Sequence, residues 1–81
     1  MDHYLAERYV PAHGRASLNE DAARVYAAGS TDVRLLDSWY VPEDEVWFLL
    51  FESASAELVE GAMRNASLEL ARVMLVDKVR Q

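Results

Sequence analysis

The 81-residue chain contains no cysteine, and eight basic against fourteen acidic side chains leave a net charge of −6. Disulfides, thiolate-held zinc and cysteine-bound clusters are excluded, and the acidic surplus repels phosphate backbones and anionic headgroups, so neither nucleic acid nor a membrane surface is an expected partner. A core this small contributes only ~3–5 kcal/mol, yet the 52% apolar content exceeds the usual ~45–50%, which predicts a homodimer burying what one chain cannot hide.

One domain, 1–81, is expected. The start at Met1-Asp2-His3-Tyr4 has no basic leader followed by an apolar run, and no stretch reaches membrane-spanning length, so the chain reads as soluble and cytoplasmic.

His3–Val10, with Tyr4, Leu5, Tyr9 and Val10 ahead of Pro11, predicts a first strand. Pro11–Gly14 reads as a loop. Ser17 and Glu20 have capping-box spacing before a helix whose apolar stripe is Leu18, Ala22 and Val25, with Gly29 placed to end it as a left-handed cap. Asp32–Val41 and Val46–Glu52 are apolar on both faces, and Pro42–Glu45 between them predicts a hairpin with Trp39 opposite Phe48 and Asp37 opposite Leu50. Ser55 caps a second helix over Ala56–Ala66, with its stripe at Val59, Ala62, Met63 and Ala66. Ala71–Val79 supplies the last strand.

The order strand, helix, strand, strand, helix, strand is the βαββαβ pattern of an α+β, ferredoxin-like fold, a four-stranded antiparallel sheet with two helices on one face. Helices cover only one side, and the second, third and fourth strands lack the alternation that a solvated face imposes. A second copy closing on the bare face as a barrel-like dimer is the simplest cover.

Charged residues interrupt the apolar strands at Glu7, Arg8, Asp37, Glu52, Asp77 and Lys78. Buried carboxylates need a cation or a metal, and strand parity groups Asp37 and Glu52 with Leu35, Trp39, Phe48 and Leu50, and Glu7 with Leu5 and Tyr9. If the two faces coincide, Glu7, Asp37 and Glu52 form a candidate metal site among Tyr9, Trp39 and Phe48, the candidate ligand-binding aromatics. The plainer reading pairs Glu7 with Arg34 or Arg72 and leaves Glu52 and Asp77 in water. His3 and His13 match no compact chelating motif, and neither a nucleophile elbow nor a glycine-rich phosphate loop is present.

The segments Tyr4-Leu5-Ala6-Glu7-Arg8, Val33-Arg34-Leu35-Leu36-Asp37-Ser38-Trp39, Phe48-Leu49-Leu50-Phe51-Glu52-Ser53-Ala54-Ser55 and Ala66-Ser67-Leu68-Glu69-Leu70-Ala71-Arg72-Val73 resemble, in order, those of a bacterial family of small ferredoxin-like proteins described as nickel-binding or nickel-responsive. The resemblance implies a dimer and a divalent metal such as nickel as cofactor, with Glu7 and Glu52 at matching positions. The chain departs from that pattern where histidine is usual at Asp37, cysteine is frequent at Leu49, and a further histidine occurs around Met63 to Asn65. Loss of imidazole shifts a site away from nickel toward harder cations.

Three functions compete on this reading. A non-catalytic binding protein would hold a metal or small molecule near Glu7, Asp37 and Glu52. A cofactor-free isomerase, cyclase or monooxygenase of the dimeric α+β barrel kind would use Asp37 or His13 as general base in an aromatic cavity. A structural accessory protein would use the dimer surface itself.

Overall fold

The computed structural model describes residues 1–77 and 79. Its elements are β1 (Asp2–Tyr9), a 3-10 helix (Ala12–Ser17), α1 (Leu18–Ala27), β2 (Val33–Val41), β3 (Val46–Ser53), α2 (Ala56–Asn65) and β4 (Arg72–Val76). The strands form one antiparallel sheet in the order β2-β3-β1-β4. That is the ferredoxin-like α+β arrangement predicted above, with each β-α-β unit split by a strand of the other.

Alternation on β3 sets the layers. Trp47, Leu49, Phe51 and Ser53 are buried, whereas Phe48, Leu50 and Glu52 are half-buried. The buried set joins Ala6, Val25, Val33, Val59, Ala62, Met63, Ala66 and Leu68 in one core between the sheet and the helices. The molecule is only 18 Å along its shortest axis, the depth of one sheet and one helical layer, since packed layers lie about 10 Å apart. Among the described residues nothing covers the opposite face.

Local chemistry departs from expectation at several points. Ala12–Gly14, expected as loop, belong to a 3-10 helix that runs to Ser17, and Ser17 is already helical, so its hydroxyl donates to the Gly14 carbonyl and lies 3.4 Å from Asp21 rather than capping α1. Gly29 does not adopt positive φ. It is small because a Cβ there would stand 2.9 Å from the Val33 carbonyl oxygen and 3.2 Å from that of Tyr26. The capping of α2 is as predicted, Ser55 accepting a hydrogen bond from the Leu58 amide.

The far end of α2 closes without glycine. Ser67 takes φ 61°, its amide donates to Arg64, and Leu68 donates to Met63. These two bonds form a Schellman motif, with Leu68 and Met63 supplying the apolar contact across the cap.

The hairpin register is as predicted, Trp39 opposite Phe48 and Asp37 opposite Leu50. Between Leu35 and Asp37 the pairing shifts by one residue, so Leu36 is bulged. The bulge corrects one parity assignment: Leu35 faces the helices opposite Phe51, while Asp37 and Trp39 face away. β4 is shorter than the expected 71–79, ending at Val76, and Val79 is exposed. Lys78, also assigned to that strand from sequence, lies outside the described residues.

Candidate functional site

The pairing registers place all six residues predicted for the metal and ligand site, Glu7, Asp37, Glu52, Tyr9, Trp39 and Phe48, on the non-helical face. β1 contributes His3, Leu5, Glu7 and Tyr9, β3 contributes Val46, Phe48, Leu50 and Glu52, β2 contributes Arg34, Asp37, Trp39 and Val41, and β4 contributes Arg72, Met74 and Val76. Four transverse rows result. Arg34, Glu52, His3 and Val76 form the first, Asp37, Leu50, Leu5 and Met74 the second, Trp39, Phe48, Glu7 and Arg72 the third, and Val41, Val46 and Tyr9 the fourth.

The two middle rows make an apolar strip of Leu50, Leu5, Met74 and Phe48, all half-buried and all outside the helical core. Trp39 flanks it on edge strand β2, 49% exposed, and Tyr9 lies at one end, 68% exposed. The three predicted aromatics therefore share a surface. Val46 is buried on this side by its neighbours Val41 and Tyr9 across the ladders, without belonging to the main core.

The three predicted metal carboxylates share the face but not a point on it. From strand spacing and rise, Glu7 lies roughly 12 Å from Asp37 and roughly 14 Å from Glu52 along the backbone grid, and Asp37 roughly 8 Å from Glu52. Each already has a partner. Arg72 donates to Glu7 through Nε (2.7 Å) and Nη2 (3.4 Å). Arg34 donates to Glu52 through Nη2 (2.9 Å) and Nε (3.2 Å). Among the described residues Asp37 accepts only the amide of its neighbour Ser38 (2.8 Å).

Hydrogen bonding to Glu7, then the charge of that carboxylate, raises the Arg72 pKa further above its ordinary value. Among the described residues no three histidine or carboxylate side chains come together as a metal-ligand group. A nickel-like ion thus has no ligand set among the described residues of one chain. His13, the other proposed base, is exposed on the 3-10 helix rather than on this face.

Two features escaped sequence reasoning. Met74 belongs to the same face, legible only once β4 is seen to pair with β1, whereas Arg72 meets Glu7 as one of the two partners expected for it. A cleft of about 520 Å³ also runs between α2 and β4, lined by Glu60, Arg64, Leu68, Leu70 and Val73 among others. It lies on the helical side, and no periodicity in the sequence announces it.

Comparison with known proteins informs the fold. No family model matches the chain, and no curated protein matches it. Among solved structures, the crystal structure of SCO4226 from Streptomyces coelicolor A3(2) is similar, with a TM-score of 0.71 at 16% identity over 96% of this chain and 99% of that one. At that identity the likeness is one of fold, and it extends over essentially the whole domain.

Proposed function

We propose that the protein is a non-catalytic binding module that works as a homodimer, with the non-helical sheet face as its functional surface. One observation carries this reading: Leu5, Phe48, Leu50 and Met74 form a contiguous apolar strip with Trp39 and Tyr9 beside it, and no described residue covers it. Contiguous apolar patches on soluble chains mark interfaces or ligand sites, and face-to-face packing of two sheets is the direct way to bury one.

Within such an interface the ligand best suited to the surface is a small molecule with a flat apolar body and a hydrogen-bond donor. Trp39 and Phe48, directly cross-strand, offer the stacking platform. Asp37, two residues along β2 on the same face, is the one carboxylate of the three without a cation partner among the described residues. Glu7 and Glu52, each held by an arginine, keep the rest of the face electrically neutral and leave recognition to Asp37.

Sedimentation of the wild type over a concentration series tests the reading, with Trp39→Asp as the interface variant. Self-association that Trp39→Asp reduces is expected. A wild type that stays a single chain throughout sinks the dimer. Ligand binding is read separately by quenching of Trp39 emission in a Trp47→Phe background, and an Asp37→Asn variant should weaken it at least tenfold if the carboxylate takes the donor.

A further inference from the structure

The two edges of the sheet are built differently. β2 is interrupted by the Leu36 bulge, with Asp37 and Ser38 following, devices that discourage strand addition. β4 has no bulge, and its one charge, Arg72, stands at its first residue. It runs Arg72-Val73-Met74-Leu75-Val76 without proline, glycine or bulge, pairs among the described residues with β1 alone, and carries Leu75 63% exposed on the helical side.

The ladder phase shows which β4 groups are free. The Val10 amide donates to the Glu45 carbonyl, extending the β1–β3 ladder, so alternate residues of β1, including Leu5 and Glu7, turn their backbone groups toward β4. Their partners Met74 and Arg72 use their own groups inward. Val73 and Leu75 therefore direct N–H and C=O outward.

From this edge we propose that β4 pairs antiparallel with β4 of a second copy about a two-fold axis normal to the sheet at Met74. Such an axis preserves the faces of the sheet, so only residues of like parity can stand opposite one another. Centring it on Met74 sets Val73 against the partner's Leu75 on both sides, and each pair exchanges two backbone hydrogen bonds. Centring on Val73 or Leu75 instead pairs only one outward-facing residue with itself near the axis.

Side chains agree with that register. Val73 lines the cleft between α2 and β4 together with Leu68 and Leu70, and the partner's Leu75 is its cross-strand neighbour on the same side. Each exposed leucine thus meets the other copy's cleft. The single charge of β4, Arg72, stands opposite the partner's Val76, so no like charges face each other. On α2, Glu60 and Arg64 lie one turn apart at the cleft rim, and an antiparallel two-fold brings acid toward base.

This axis is perpendicular to the sheet, whereas the face-to-face dimer proposed above has its axis between the sheets. Where the two axes intersect, combining them closes the assembly at four chains. Sedimentation-velocity mass measurements on wild type, Leu75→Lys, Trp39→Asp and the double variant separate the interfaces, with circular dichroism confirming that the exposed substitutions leave the fold intact.

Expected masses are four chains for the wild type, two for each single variant and one for the double variant. A Leu75→Lys protein with the same mass as the wild type overturns the edge pairing, whatever Trp39→Asp does. If only Trp39→Asp leaves the mass unchanged, the face reading fails while the edge pairing stands. Amide hydrogen exchange gives a second readout: Val73 and Leu75 should lose protection on dilution, and concentration-independent exchange at both overturns the proposal.

Discussion

Ser67 holds a left-handed conformation, φ 61°, at the position where helices most often place glycine. A Cβ in that region costs about 1 kcal/mol relative to glycine. Because Ser67 is exposed, Ser67→Gly should relieve the strain without opening a cavity, and thermal denaturation should show a midpoint about 4–8 °C higher. Among the described residues Glu45 is the other non-glycine residue at positive φ, 53°, but its case is different. Its carboxylate accepts the Ala12 amide (2.7 Å) at the start of the 3-10 helix, and its carbonyl accepts the Val10 amide (2.8 Å). Glu45→Ala removes the first of these bonds, leaving the strain in place, and should lower stability by about 1 kcal/mol. The substitution Glu45→Gln, which keeps an acceptor, should recover most of that loss in the same denaturation assay.

At the scale of an element, β2 shows how one residue decides what a strand presents. With Leu36 bulged, Val33 and Leu35 reach the core, and Asp37 and Trp39 face the other way. Deleting Leu36 forces a choice between the two halves of the strand, since the side-chain period is two. Either Leu35 leaves the core or Trp39 turns into it, and urea unfolding should register a loss of about 2–5 kcal/mol. Leu36→Ala, which keeps the bulge and trims an exposed side chain, should cost under about 1 kcal/mol. The hairpin turn and its pairing were legible from Pro42–Glu45 and the flanking apolar runs, because turn length sets register locally. The bulge was not, since an extra leucine in an apolar run looks like any other leucine. Gly29 misled for a related reason: glycine at a helix end usually signals positive φ, but this one answers a carbonyl 2.9 Å from where its Cβ would be, a contact made by residues four positions on.

For the molecule as a whole, the two faces of β3 should respond differently to truncation. Phe51 is fully buried beneath the helices, and Phe51→Ala should destabilise by about 3–5 kcal/mol at any protein concentration. Phe48→Ala, on the non-helical face, should act mainly on the concentration-dependent part of the stability if that face is an interface. Equal and concentration-independent losses from both would speak against burial of the second face. Strand and helix order, the second helix cap, the hairpin register and the membership of Glu7, Asp37, Glu52, Tyr9, Trp39 and Phe48 in strands were all readable from sequence, because propensity, parity and turn chemistry act over a few residues. That all six share one face followed from pairing, and only the tertiary structure decided it, through the β1–β3 ladder and the Leu36 bulge. It also decided that Glu7 and Glu52 are claimed by Arg72 and Arg34. Those pairs join residues 65 and 18 positions apart, and no local pattern encodes which distant cation a carboxylate will meet.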